Sequence, residues 1–286
     1  MASLTNFHHN RLPLGTSVLR WLLVIGGSAT IVLMIIMPFA AVFWYALRDG
    51  WESYWNYLTM KSTLHSIYLS LLTVAVAVPF NTVFGIAAAW LIARFEFWGK
   101  RQLITIIELP LSVSPIVIGL AYLFVFGRQG LLGPKLDEWD WWTVKMVFSV
   151  PAILIVTTIV TLPFVFREVL PLMQSQGSDD EVAAITLGAS GWTVFRRVTL
   201  PNIKWALVYG VCLCMARAMG EYGSVAVVSG SVPNQTNTMP LQIELLSHDP
   251  VQTGSFAVAT VLTATAALTI IVKTIVEFRE NRMRED

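Results

Sequence analysis

The sequence predicts an all-α membrane protein with six transmembrane helices and both termini in the cytoplasm. Of its 286 residues, 55% are hydrophobic and only 13% are charged, whereas a soluble domain averages roughly 25% charged residues. The charges are also clustered. They leave four uncharged stretches, each longer than the ~18 residues that indicate a transmembrane helix. A soluble all-α protein with buried helices would need far more polar surface than this composition supplies.

One membrane domain is predicted over residues 21–276, between a cytoplasmic N-terminal segment (1–20) and a cytoplasmic tail (277–286). Its spans are placed at residues 21–47, 66–93, 103–127, 146–166, 205–230 and 254–276. The third and fifth spans are less uniform than the others, because charged residues fall within each of them. These two spans are therefore where polar function inside the membrane is expected.

The distribution of Lys and Arg predicts the orientation, because cytoplasmic loops of membrane proteins are enriched in these residues. With the N-terminus inside, thirteen of the nineteen fall on the cytoplasmic side and five outside, while Arg217 lies within a span. This orientation places the polar loop of residues 167–204 in the cytoplasm. The near-zero net charge of +1 argues against nucleic acid as a partner, and membrane lipid is the expected surroundings.

The third predicted span contains Pro110 and Pro115, five residues apart. Each proline removes a helical hydrogen bond and clashes with a preceding carbonyl, so this span is expected to be kinked or interrupted. Irregular backbone at membrane depth is tolerated where it lines a cavity. Ser112 and Ser114 lie at this interruption, where their hydroxyls either line a translocation path with Pro115 or cap the broken helix.

The fifth predicted span contains Arg217 and Glu221, four residues apart and so on one helix face, where they can form an ion pair. Charges inside a span are costly and usually face an interior cavity. Two interpretations remain open. The pair is either a neutralised structural contact that locks this helix to its neighbours, or a direct lining of the solute path.

The loop of residues 167–204 is predicted to form a helix, a turn, a second helix and the start of the fifth span. Ser178 and Glu181 have the spacing of a capping box at the start of the first helix. Gly188 can stop that helix, Ser190 can cap a second helix, and Pro201 suits the first turn of the span. On this interpretation Glu181 only caps, and Glu181→Gln is expected to be nearly silent.

This loop resembles the EAA loop of permease subunits in bacterial ABC importers, which reads E-A-A-x-x-x-G, nine residues, then I-x-L-P. The chain departs from the pattern at one position, where Val182 replaces the family's Glu. The resemblance implies that the loop docks on an ATP-hydrolysing subunit. The residues expected to form this coupling site are Glu181, Val182, Ala183, Ala184, Gly188, Ser190, Trp192, Arg196, Leu200 and Pro201.

Further resemblance extends over most of the chain to CysW-type permease subunits of sulfate/thiosulfate importers. It is carried by Arg94-Phe95-Glu96-Phe97, by Leu109-Pro110, by Val228-Ser229-Gly230-Ser231 and by the segment Pro240 to Leu246. It implies the MetI-like permease fold, a bacterial inner membrane and uptake of sulfate and thiosulfate. The implied partners are a CysT-type sister permease, two CysA-type ATPase subunits and an extracytoplasmic sulfate-binding protein.

No catalytic chemistry is predicted for the isolated chain. It lacks the P-loop sequence G-x-x-x-x-G-K-[ST], so ATP and Mg²⁺ are expected at the partner ATPase and no cofactor on this chain. No spacing of His, Cys and carboxylates predicts a metal site, and Cys212 and Cys214 are expected to be packing residues. Two alternatives remain: a permease for molybdate, tungstate or phosphate, and an ATP-independent transporter or channel.

Overall fold

A computed structural model describes residues 14–134 and 146–285, with side chains described for residues 21–134 and 146–275. Residues 1–13 of the predicted N-terminal segment lie outside the described residues. The helices are α1 (Leu14–Leu47), α2 (Trp51–Thr59), α3 (Lys61–Arg94), α4 (Lys100–Ser112), α5 (Pro115–Phe126), α6 (Val150–Thr161), α7 (Pro163–Gln176), α8 (Asp179–Thr186), α9 (Gly191–Val194), a π-helical turn (Phe195–Thr199), α10 (Leu200–Met219), α11 (Gly223–Val228), α12 (Met239–Ser247) and α13 (Thr253–Glu285).

Within the described residues, five helices or helix runs are long and apolar enough to cross a membrane. They cover Trp21–Leu47, Lys61–Arg94, Val150–Gln176, Gly191–Met219 and Thr253–Ile275. The bent pair α4 and α5 makes a sixth span if it crosses as one unit. The predicted all-α membrane architecture of five to six spans is confirmed, with the bent pair in the position of the third predicted span. The side of the membrane on which each loop lies stays a prediction.

The glycines of α3 and α10 allow three helices to pack closely at the centre of the molecule. A Cβ added to Gly85 of α3 would lie 2.9 Å from Val165 Cβ of α7, and one added to Gly210 of α10 would lie 3.0 Å from Val165 Cα. Small residues at such crossings are the usual means by which membrane helices approach each other. Cys212 and Cys214 are buried and free here, which confirms them as packing residues.

The fourth span is longer than predicted. The sequence placed its end at residue 166, before the charged Arg167, and assigned the following residues to the loop of residues 167–204. Helix α7 instead continues to Gln176, because Val169 and Met173 lie on the face buried in the core while Arg167 is exposed on another face. A charged residue thus sits on an amphipathic helix without ending it.

The fifth span also differs from its predicted bounds, whereas the sixth matches them. The fifth, placed at residues 205–230, begins without a break from the loop and ends at Met219, after which Gly220 to Tyr222 are not helical. The sixth, placed at residues 254–276, agrees with the apolar segment Thr253–Ile275, and its helix α13 continues to Glu285 through most of the predicted tail of residues 277–286.

The interruption of the third span is confirmed, and Pro115 is its cause. The residue before a proline is driven out of the helical region, and Ser114 accordingly has φ −59° and ψ 135°. Helix α4 therefore ends at Ser112, and α5 begins at Pro115 with a bend of 112° between them. Pro110 lies inside α4 without ending it.

Candidate functional site

The predicted coupling loop begins with a short exposed helix that ends as expected. Helix α8 follows Gly177 and stops at Gly188, whose φ of +87° lies in the left-handed region that favours glycine. The backbone N–H of Gly188 donates to Ile185 O at 2.9 Å, and that of Ala189 donates to Ala184 O at 3.0 Å. These bonds satisfy the last carbonyls of the helix.

The predicted capping box at Ser178 and Glu181 is wrong. Ser178 precedes α8 but makes no side-chain capping hydrogen bond. The Glu181 carboxylate instead accepts hydrogen bonds from Arg94 Nε at 2.8 Å and Arg94 Nη2 at 3.0 Å. It also accepts one from Thr199 Oγ1 at 2.7 Å. A bidentate arginine fork is a stronger partner for a carboxylate than a single backbone N–H, so the carboxylate turns toward the protein.

Arg94 and Thr199 are site residues that the sequence reasoning missed. Arg94 lies in the last turn of α3, and its Nη1 also donates to Met173 O near the end of α7 at 3.1 Å. The side chains of Arg94 and Glu181 are each only 12% exposed. The available signal was a single basic residue at the predicted cytoplasmic end of an apolar span, which does not reveal its partner.

Three large apolar side chains are exposed on α8 and at its end. Val182 is 53% exposed and Ile185 58%, and Leu187, the residue after the helix, is 87% exposed. Ala183 is exposed and Ala184 is half-buried between them. Asp179, Asp180 and Thr186 of the same helix are exposed as well, while the carboxylate of Glu181 turns inward to Arg94. The exposed surface of α8 is therefore mixed, with acidic side chains in its first turn and apolar side chains from Val182 onward.

The second half of the loop leads directly into the fifth span. Ser190 caps α9 as predicted, with its Oγ accepting from Thr193 N at 3.4 Å. Trp192 is 69% exposed and stacks on Phe195 with ring centroids 5.7 Å apart. The second helix and the fifth span follow each other in the predicted order, and the π-helical turn joins α9 to α10 without interruption. Arg196 is exposed on that turn, and Leu200 and Pro201 form the first turn of α10.

The predicted ion pair of the fifth span forms at the end of its helix. Arg217 Nη1 lies 2.6 Å from Glu221 Oε2. Glu221 is not on the helix face as predicted, because α10 ends at Met219 and Glu221 lies in the following break. Its other oxygen accepts from Ser224 N at 2.9 Å and Ser224 Oγ at 2.7 Å. Glu221 thereby joins the end of α10 to the start of α11.

The two interrupted spans lie against each other. A Cβ on Gly223 would lie 3.3 Å from Pro115 Cβ, and one on Gly119 would lie 2.9 Å from Ser224 O. The structure thus brings the Pro115 break beside the Glu221 break. Ser112 and Ser114 are exposed at the first break, and Ser114 makes no side-chain capping bond, so the expected capping by its hydroxyl is wrong.

Among the described residues, no group of three or more His, Cys, Asp or Glu side chains has the geometry of a metal site. The candidate functional features of the described residues are therefore the exposed helix α8 with its apolar side chains and the two adjacent helix breaks.

The model of the family described as "Binding-protein-dependent transport system inner membrane component" matches residues 81–285. The chain belongs to this family. The match includes the loop with α8 and both helix breaks. As a member of the family the chain is a multi-pass membrane component of a transport system. ATP hydrolysis in such a system belongs to a partner subunit.

The similarity of the chain to two sulfate transport permeases supports the same assignment. The chain is 46% identical over 260 residues to the sulfate transport system permease protein CysW of Escherichia coli K12, covering 91% of this chain and 88% of that protein. It is 31% identical over 257 residues to the sulfate transport system permease protein CysT of the same organism, covering 90% and 88%.

The fold is also that of a solved ABC transporter. A chain in the crystal structure of a bacterial alginate ABC transporter, in complex with an alginate pentasaccharide-bound periplasmic protein, matches with a TM-score of 0.72. The match covers 95% of this chain and 98% of that chain at 15% identity, so it bears on the fold alone. The predicted all-α permease fold of the MetI-like type is confirmed.

Proposed function

We propose that this protein is the permease subunit of an ATP-driven importer that carries sulfate, and its analogue thiosulfate, across the bacterial inner membrane. The observation that carries the transport mechanism is the set of exposed apolar side chains on α8 and at its end, Val182, Ile185 and Leu187, on a helix held in place by the Glu181 carboxylate. The similarity to CysW over most of the chain supports sulfate as the substrate.

The partner on α8 is an ATPase subunit that binds ATP and Mg²⁺. A short amphipathic helix with an apolar face fits a hydrophobic groove on such a partner. Val182, at the position where related loops carry Glu, adds to this apolar face with 53% of its surface exposed. Val182, Ile185 and Leu187 therefore provide the contact by packing rather than by charge.

The complete importer contains two copies of the CysA-type ATPase and a CysT-type sister permease. The similarity of this chain to CysT supports a pore formed from two related permeases. An extracytoplasmic sulfate-binding protein delivers the anion. Closure of the ATPase dimer draws the two coupling helices together and switches the pore by rigid-body movement.

A continuous helical path connects the coupling loop to the interior ion pair. Residues Gly191–Met219 form one helical run of 29 residues, which starts in the loop and ends two residues before Glu221. A movement of the loop is transmitted along such a rigid rod to Arg217. The two adjacent helix breaks at Pro115 and Glu221 are where the solute path is placed, because irregular backbone at membrane depth is tolerated along a cavity.

Uptake of labelled sulfate in a bacterial strain lacking its own sulfate permeases tests this function. Expression of the chain with its sister permease, ATPase and binding protein is expected to restore uptake, and a catalytically inactive ATPase to abolish it. Excess thiosulfate should compete, whereas molybdate, tungstate and phosphate should not. Competition by one of these three instead would assign a different oxyanion. Uptake without any co-purifying ATPase would establish an ATP-independent transporter.

A further inference from the structure

The ion pair between Arg94 and Glu181 joins segments that are far apart in the sequence. Glu181 lies on α8, the helix proposed to be held by the ATPase, whereas Arg94 ends α3. The same guanidinium reaches Met173 O on α7, and the same carboxylate is bound by Thr199 on the π-helical turn. One side-chain cluster therefore connects α8 to the cytoplasmic ends of three helices.

The environment of the pair separates it from an ordinary surface salt bridge. Both side chains are only 12% exposed, and Thr199 is 3% exposed. Every nitrogen of the Arg94 guanidinium has a partner in the cluster. The Lys100–Glu96 pair is a useful contrast, because Glu96 is 90% exposed and the two residues are neighbours on one stretch of chain. Exposed pairs of that kind contribute little.

The backbone at Thr199 adds a second observation. The π-helical turn of Phe195–Thr199 inserts extra backbone at the point where the loop becomes the span, and such turns are frequent at functional sites. The Thr199 hydroxyl donates to Glu181 Oε1 at 2.7 Å. Glu181 is thus bound both to α3, through Arg94, and to the rod that leads to Arg217, through Thr199.

We propose that Arg94 is a positioning residue for transport: it fixes Glu181 so that movement of α8 is passed to α3, α7 and α10 together. This inference rests on the proposed function, in which an ATPase moves α8. Without Arg94, α8 keeps the hydrogen bond from Thr199 to Glu181 and the one from Asn202 Nδ2 to Asp180 Oδ2 at 3.4 Å, both of which lead to α10. The links through Arg94 to α3 and α7 are lost. The ATPase then displaces α8 without moving α3 and α7, so ATP is hydrolysed with less transport.

The number of sulfate ions transported per ATP hydrolysed, measured with the purified complex in proteoliposomes, tests this role. Arg94→Ala is expected to lower that ratio about tenfold or more, the loss associated with one charge-assisted hydrogen bond, while the ATPase subunit stays bound. Arg94→Lys keeps the charge but loses the fork, so an intermediate ratio is expected. Lys100→Ala breaks the exposed pair and serves as the matched control, with a ratio equal to wild type.

Amide hydrogen exchange of the same complexes provides a readout that needs no substrate. Exchange at residues 182–187 should rise about tenfold in Arg94→Ala, the same loss as above, and remain unchanged in Lys100→Ala. A wild-type transport ratio in Arg94→Ala overturns the inference, even if exchange rises, because Arg94 would then be only a structural tether. Wild-type proteoliposomes that transport no sulfate would instead overturn the proposed function.

A variant that fails to assemble is resolved by exchanging the charges. The double variant R94E/E181R restores opposite charges at the two positions, although the Met173 carbonyl loses its donor. Recovery of assembly together with at least part of the transport ratio supports the pair as the transmitting contact. An assembled double variant whose ratio stays as low as that of Arg94→Ala, at normal ATP hydrolysis, contradicts it.

Discussion

Replacing Arg217 and replacing Glu221 are expected to have unequal effects on the stability of the protein, although each substitution breaks the same ion pair. The Glu221 side chain is 1% exposed, whereas that of Arg217 is 32% exposed. Arg217→Met leaves a buried carboxylate with only the donors of Ser224. Glu221→Gln leaves an arginine that can reach a polar surrounding, and the amide oxygen can still accept from Ser224.

The burial sets the magnitudes. Removing one partner of a buried ion pair costs about 3–5 kcal/mol because the other charge is left uncompensated, and this range applies to Arg217→Met. Glu221→Gln loses a charge-assisted hydrogen bond, but the remaining charge, on Arg217, is partly exposed. We therefore expect the free energy of unfolding to fall by about 2 kcal/mol. The double variant Arg217→Met with Glu221→Gln contains no stranded charge and should recover most of the stability.

Unfolding of the purified permease in mixed detergent micelles measures these differences, and sulfate uptake measures the consequence. The expected order of stability is wild type, double variant, Glu221→Gln and then Arg217→Met. A lower stability for Glu221→Gln than for Arg217→Met would refute the reasoning from burial. If the pair is structural, the double variant also recovers most uptake. An assembled double variant with intact ATP hydrolysis and no uptake would show that Arg217 acts on the anion.

Gly188→Val should strain the left-handed turn by about 1–2 kcal/mol and reduce co-purification of the ATPase. Gly188→Asn should retain co-purification, because asparagine tolerates the left-handed conformation and no atom lies within 4 Å of an added Cβ. Equal co-purification of the two variants would exclude a role for the turn. Glu181→Gln should weaken the contact with Arg94 by about 2 kcal/mol and raise the amide hydrogen exchange of α8. A residue that only caps the helix would give a near-silent effect. Unchanged exchange would therefore support the capping role. Gly85→Ala should destabilise the purified protein by about 1–3 kcal/mol through overpacking. Gly26→Ala should not, because no atom lies within 4 Å of a Cβ added at Gly26. Equal thermal unfolding of the two variants would contradict close packing at Gly85.

The features that the sequence determined by itself are local ones. Four long uncharged stretches, together with two apolar stretches that contain a few charges, predicted the number and order of the spans, because crossing hydrocarbon requires a continuous apolar helix. Pro115 interrupted the third span because a proline excludes the helical conformation from the residue before it. Gly188 and Ser190 were placed correctly, since helix ends depend on the stereochemistry and hydrogen bonding of a few adjacent residues.

Tertiary structure alone decided which groups meet. Glu181 has an acceptable local role in a capping box, but the structure offers it a stronger partner in Arg94, 87 residues earlier in the chain. The end of α7 was likewise set by burial of Val169 and Met173 against the core and not by the charge of Arg167. A side chain bonds to the local or the distant partner that gives the lower free energy, and distant partners are within reach only once the helices have packed.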